Sequence, residues 1–82
     1  MYEIVFTKRS IADMEKLDDA TRMRIMKKLR EYSAAPFQFA HKLSDPRIGT
    51  YRFRIGDFRV IFDLVGEKIA ILRIGNRREI YR

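Results

Sequence analysis

The 82-residue chain has no cysteine and one histidine, His41. Disulfides, thiolate chemistry and a cysteine-built zinc site are therefore excluded, which fits a reducing compartment. A single histidine cannot supply both the acid and the base of a pancreatic-type ribonuclease. No apolar run approaches the roughly 20 residues that span a bilayer, and the opening MYEIVFTKRS contains none either. A soluble, cytoplasmic chain is expected. Gly-rich phosphate loops, nucleophile elbows, repeats and low-complexity tracts are also missing. Asp45, Asp57, Asp63 and Glu67 are scattered through turns and strand ends. That spacing matches neither a two-metal nor a His-carboxylate site, so no metal and no small-molecule cofactor is expected.

Negative charge is in short supply as well. Eighteen Lys and Arg stand against 11 Asp and Glu, giving a net charge of +7 and a pI of about 10.1. Such a surface attracts polyanions. From His41 onward there are eight Arg and two Lys, against four of each before it. Arginine presents a planar fork of donors that matches phosphate oxygens, whereas lysine is a hydrated point charge. Solubility alone would explain the charge total; arginines concentrated on strands point to nucleic acid.

Length and uniform composition give one domain, residues 1–82. Its centre is Tyr51 to Phe62, YRFRIGDFRVIF, two strands joined at Gly56-Asp57, a Gly-first pair suited to a hairpin. Ile55 then faces Phe58, Arg54 faces Arg59, Phe53 faces Val60 and Arg52 faces Ile61. Alternation puts Tyr51, Phe53, Ile55, Phe58, Val60 and Phe62 on an apolar face and Arg52, Arg54 and Arg59 on the other. Like charges directly across a strand pair cost up to about 1 kcal/mol. An anion bridging Arg54 and Arg59 would explain them; local stability would not.

Around this hairpin, Tyr2 to Phe6 reads as a strand. A helix follows, capped by Thr7 or Ser10, with Ile11, Met14 and Leu17 on one side. A second helix runs from about Asp19 to Ser33, burying Met23, Ile25, Met26, Leu29 and Tyr32 behind a basic face. The short Asp18-Asp19 connection implies an antiparallel helix pair. The basic face is read first as solvated, second as an RNA contact and last as a membrane-surface helix. Ala34 to Pro46 reads as a loop pinned by Phe37, Phe39 and Leu43, carrying His41 and, within reach of a phosphate, Lys42. The last strand, Lys68 to Gly75, follows a turn at Val65 to Glu67. A two-residue loop would set Arg73 opposite Val60 in the core, so a three-residue loop opposite Arg59 is expected. Ala70, Leu72 and Ile74 then join the core, while Arg73 and Arg77 share the basic face. The expected class is α+β: two N-terminal helices packed on a small, mainly antiparallel four-stranded sheet, in the order β-α-α-β-β-β.

With the pair YRxRxGDxRVI and RIGxRRExY, here YRFRIGDFRVI and RIGNRREIY, the chain resembles the RelE family of toxin-antitoxin ribonucleases over nearly its whole length. The resemblance implies a RelE-like fold and the toxin of a type II system. It further implies an endoribonuclease that cuts mRNA in the ribosomal A site and a cognate antitoxin encoded beside it. Position by position, Arg52 and Arg54 stand where the family's best-studied branch has lysines. Arg59 matches the next strand's arginine, Arg77 the late catalytic arginine with Arg78 as its rival, and Tyr81 the aromatic near the end. The implied chemistry is metal-free transesterification leaving a 2′,3′-cyclic phosphate and a 5′-hydroxyl. Arg59 and Arg52 would neutralise the developing charge, Arg77 would serve the leaving oxygen, and Tyr81 would stack on a base. Lys42, Arg73 and Arg78 would be RNA contacts. Arg54 is a poor general base, because arginine is effectively never deprotonated. Either it acts electrostatically and the base is another group or water, or cleavage depends even more on the ribosome placing the RNA in line. Asn76 stands where many relatives carry histidine, which removes one acid-base group.

Two other classes stay open. A ParE-like relative would poison DNA gyrase and is told apart by inhibited supercoiling. A non-catalytic basic RNA-binding module would bind tightly and salt-sensitively without cleavage. The antitoxin is expected to supply acidic and apolar side chains over helices and sheet, with strand addition at an exposed edge as one mode.

Overall fold

A computed structural model describes residues 2–80. The elements are β1 (Glu3–Phe6), α1 (Lys8–Glu15), α2 (Asp19–Tyr32), α3 (Pro36–Phe39), β2 (His41–Lys42), β3 (Tyr51–Ile55), β4 (Phe58–Val65) and β5 (Lys68–Asn76). They form one sheet in the order β1-β5-β4-β3-β2. Only β1 pairs in parallel, with β5. The class is α+β as expected, but the described residues form five strands and not four. The additional strand is β2, in a segment expected to be loop; its two residues are too few for periodicity to reveal.

Side-chain caps start both long helices. The Ser10 N–H donates to Thr7 Oγ1 at 3.2 Å, and the Thr7 hydroxyl donates to the Ile71 carbonyl at 2.8 Å, which moors α1 to β5. The Thr21 N–H donates to Asp18 Oδ1 at 2.8 Å. Arg22 of α2 reaches back to the end of α1 and the turn after it, donating to Met14 O at 3.1 Å and Leu17 O at 2.8 Å. Arg22 therefore joins the helices and is not part of a solvated basic face.

Two expected core residues are corrected. Met23 is 71% exposed and Ile11 47%. In α2 the buried positions are Ile25 and Leu29, and Met23, two residues before Ile25, lies about 200° round the helix from it. In α1 the buried positions are Ser10, Asp13 and Met14. Two of these are polar, so an apolar stripe drawn through Ile11 missed the true inner face.

The hairpin register is the expected one in all five pairs. Gly56 takes φ +60° and no non-Gly residue among the described residues has positive φ, the pattern of a Gly-first two-residue turn. Phe53, Ile55, Val60 and Phe62 are buried with Ile25 and Leu29, and the rings of Phe53 and Phe62 stack with centroids 4.2 Å apart. The segment expected to be loop instead begins with α3, where Phe39 stacks on Tyr32 at 4.3 Å. Phe37 stays 63% exposed and meets Tyr2 and Tyr51 edge-on at the rim of the core without entering it.

The β4–β5 turn overturns one expectation and rescues another. Val65 pairs with Lys68, so the loop has two residues and not three. Continued without a break, that register would bury Arg73 opposite Val60. Instead Phe62 pairs with Ile71 and Ile61 with Arg73, so Leu72 is an extra residue on β5, a β-bulge. Arg73 reaches the outer face opposite Ile61, not opposite Arg59. Ile69 and Ile71 enter the main core in place of Ala70 and Leu72, and Ile74 enters it after the bulge. Leu72 packs on the opposite face with Leu43, Ile61, Ile48 and Ile80. Gly49 permits that second cluster: at φ +150° a Cβ there would lie 2.4 Å from Ile61 Cγ2.

Candidate nucleic-acid interface

Strand pairing sets the candidate side chains in two rows across the sheet face turned away from the helices. One row is His41, Arg52, Ile61 and Arg73; the other is Arg54, Arg59 and Gly75. Cross-strand partners share a face, with Cβ atoms about 5 Å apart. Arg54 and Arg59 are thus directly opposed, as expected. Arg59 Nη1 donates to the carbonyls of Gly56 and Phe58, both at 2.9 Å, which draws its guanidinium towards the hairpin turn.

Two further arginines come to that turn. The Arg24 guanidinium of α2 lies across Gly56, its Nη2 2.6 Å from where a Cβ would sit. The Arg77 N–H donates to Asp57 O at 2.8 Å, and Arg77 Nε stands 3.9 Å from Asp57 Oδ1. The tip therefore gathers Arg24, Arg59 and Arg77, with the Asp57 carboxylate beside Arg77. Asn76 sets up the approach of Arg77. Its side-chain oxygen accepts from the Arg78 N–H at 2.9 Å, and its carbonyl accepts from the N–H groups of Glu79 and Ile80 at 3.0 Å. The final turn thereby folds back, and Ile80 packs on Gly75. Arg78 is exposed beside it.

Arg73 shares the face but has a structural partner. Asp13 Oδ2 accepts from Arg73 Nε and from the Ile74 N–H, both at 2.9 Å. The carboxylate is buried, and it satisfies a backbone donor next to the bulge while neutralising the arginine.

Beside Arg52, a depression of about 420 Å³ is walled by Lys42, Leu43, Ser44, Asp45 and Ile48. Within it Asp45 accepts three hydrogen bonds from Arg47, two from the guanidinium and one from the backbone N–H, all at 3.0 Å, and these bonds hold its carboxyl below the usual value. Lys42 is exposed at the end of the edge strand β2, pairs with Tyr51 and borders that depression. Tyr81 lies outside the described residues.

Arg52, Arg54, Arg59 and Arg77 thus come together, and Arg78 and Lys42 lie at the margins. Three residues near the site were missed. Nothing in the helical pattern marks Arg24 as the residue over Gly56, and Asp13 lies 61 residues from the backbone N–H that it holds. His41, expected far from the hairpin, is the cross-strand partner of Arg52; only the register reveals it. Among the described residues, no three acidic or histidine side chains gather as metal ligands.

A family model describing the ParE toxin of the type II toxin-antitoxin system parDE matches residues 4–81. No curated protein matches the sequence. Solved structures do. A chain of the RelBE2 toxin-antitoxin complex of Mycobacterium tuberculosis is 23% identical with a TM-score of 0.83, over 93% of this chain and 98% of that one. A chain of the archaeal RelE-RelB complex of Pyrococcus horikoshii is 25% identical with a TM-score of 0.75, over 95% and 97%. A chain of the chromosomal ParDE system of P. aeruginosa is 20% identical with a TM-score of 0.75, over 93% and 96%. The shared fold therefore spans complexes named for RelE and for ParE.

Proposed function

The chain belongs to the ParE toxin family of type II toxin-antitoxin systems, within the RelE/ParE superfamily, and from that premise we propose that this toxin cleaves messenger RNA in the ribosomal A site. The observation that carries the reading is the guanidinium cluster: Arg52, Arg54 and Arg59 on one sheet face, with Arg77 brought to the same hairpin turn. A like-charged cross-strand pair has no stabilising role of its own, and preorganised cations facing a phosphate stabilise charge that develops during reaction.

In the proposed reaction a ribose 2′-oxygen attacks the adjacent phosphorus and the 5′-oxygen leaves. Arg59, with Arg52, offsets the added charge on the phosphorane. Arg77 stands by the leaving oxygen and Tyr81 stacks on a base. Arg54 contributes charge and takes no proton. Lys42 and Arg78 contact the RNA backbone at the margins, and Arg73, tied to Asp13, adds charge along the same face. Placement of the message in line falls to the ribosome.

A cognate antitoxin is the second partner, as it is for the RelE and RelB proteins of the similar complexes. Its apolar side chains would cover the groove formed by Phe6, Ile11, Met14 and Met26, beside which Met23 stands exposed. No helix among the described residues is long and apolar enough to cross a membrane, and we place both partners in the cytoplasm.

The family model supports a second reading, inhibition of DNA gyrase. One experiment separates them. Purified chain and its Arg59→Ala variant are added to stalled ribosomes with an empty A site, and message ends are mapped by primer extension. Cuts in the A-site codon from the parent and not from the variant are expected. A folded parent that leaves messages intact and inhibits supercoiling overturns the ribonuclease reading; tight, salt-sensitive RNA binding with neither effect makes it a binding module.

A further inference from the structure

We propose that His41 accepts the proton of the attacking 2′-hydroxyl, an assignment that rests on the transesterification reading above. The arginine cluster poses a chemical problem. Attack by a 2′-hydroxyl is assisted when a nearby group removes its proton, and Arg52, Arg54, Arg59 and Arg77 cannot, since guanidinium keeps its protons.

Three of the carboxylates around the face already accept hydrogen bonds, and a fourth stands by an arginine at the hairpin turn. Asp45 accepts three hydrogen bonds from Arg47. Asp13 is buried under Arg73 and the Ile74 N–H. Asp63 accepts from the N–H and hydroxyl of Thr50, at 2.8 and 2.7 Å. Asp57 faces Arg77.

His41 is placed differently. It lies on β2, the last strand of the sheet, and pairs directly with Arg52. That pairing sets it on the arginine-bearing face, about 5 Å from Arg52 and roughly 7–8 Å diagonally from Arg54, measured at the side-chain roots. The imidazole is exposed, and its strand has a neighbour on one side only, so an RNA strand can approach from the other. The charged groups around it are Arg52 and Arg54 on β3, Arg59 on β4, Lys42 beside it and the Asp45–Arg47 pair in the following loop. The neighbouring α3 carries no charged residue. Imidazole is the one side chain that ordinarily exchanges a proton near neutrality.

The step balances. The 2′-oxygen gives its proton to the neutral imidazole and forms a bond to phosphorus. The bond from phosphorus to the 5′-oxygen breaks, and that oxygen takes a proton from water. The imidazolium returns its proton to solvent. The products are a 2′,3′-cyclic phosphate and a 5′-hydroxyl.

Single-turnover cleavage on stalled ribosomes, followed from about pH 5.5 to 8, tests this for the parent, His41→Gln and His41→Ala. The parent rate should rise with pH across that window. His41→Gln should fall roughly 10²–10⁴-fold and lose the rise, while binding the programmed ribosome as tightly as the parent. Added imidazole should partly restore His41→Ala. His41→Gln cutting at the parent rate, or retaining the same pH profile at a lower rate, overturns the assignment and leaves the ribonuclease reading standing. A folded parent that does not cut overturns both.

Discussion

The two faces of the sheet are held by different physics. On the helix side Phe53, Val60, Phe62, Ile69 and Ile71 are fully buried against Ile25 and Leu29. On the other side the buried apolar cluster among the described residues is Leu43, Ile61 and Ile80, and the rest of the two strand rows is four arginines with His41 and Gly75. Burial of apolar surface is the main favourable term in folding, whereas opposed arginines oppose it. Stability is thus concentrated on one face, and the other is left to carry charge. Substitutions on the two faces should separate folding from activity.

The largest effect belongs to the helix-side face. Phe53→Ala removes a ring stacked on Phe62 and packed against Tyr32, with an expected loss of about 3–5 kcal/mol in urea unfolding. A loss below about 1 kcal/mol would show that this face is not where stability lies. Next comes Asp13, which links the faces: it receives the Ile74 N–H from the core side and Arg73 from the outer side. Asp13→Ala leaves a buried donor without its acceptor and should cost about 1–3 kcal/mol. Arg73→Ala leaves the bond from Ile74 in place and should cost less. Equal losses in the two variants would show that the ion pair, and not the backbone donor, is what Asp13 holds.

These two residues also show what could be read from sequence. The hairpin was legible because its information is local: the Gly-Asp turn fixes the register, and alternation on either side fixes the faces. The β5 register was not. Counting turn length gave Arg73 the right face for the wrong reason, because the shift comes from an extra residue at Leu72 next to a donor satisfied from α1, far away in sequence. The inner face of α1 was misread because Ser10 and Asp13 are polar and look like surface residues until their partners are known. Strand β2 escaped because two residues carry no period, and with it went the position of His41. The arginine set was legible from alternation alone, whereas Arg24 over Gly56 is a tertiary fact with no local signal.

A smaller effect of opposite sign is expected at Arg54. Arg54→Ala removes one of two opposed cations and should raise stability by about 0.2–1 kcal/mol, read from the urea midpoint. In the same variant cleavage on stalled ribosomes should fall roughly 10²-fold. Gain in one assay with loss in the other is the signature of a residue kept for charge and not for folding. If stability fell with activity, the arginine row would be part of the scaffold, and the contrast between the faces would fail.

The smallest effects are electrostatic and set one carboxylate beside each face. Asp18 caps α2, and its carboxyl is held below the ordinary value of 3.8 chiefly by hydrogen bonding to Thr21. Asp45 borders the Arg52 depression, and its carboxyl is lowered from the same value chiefly by hydrogen bonding to Arg47. A depressed folded value means that the stabilisation is complete above the unfolded value and is lost as pH falls through the folded one. Tm should therefore stay level from neutrality to about pH 5 and decline below about pH 4. Asp18→Asn retains a side chain that caps well, so its neutral Tm should hold while its acid decline becomes shallower. Asp45→Asn should also flatten the decline. Salt separates the two, because screening weakens an exposed pair of opposite charges more than a carboxylate bonded to a neutral N–H. Added salt should lower the Asp45 contribution more than that of Asp18, in which the charge of Arg22 is the smallest cause. If the acid decline is the same in the parent and both variants, neither carboxylate is responsible for it.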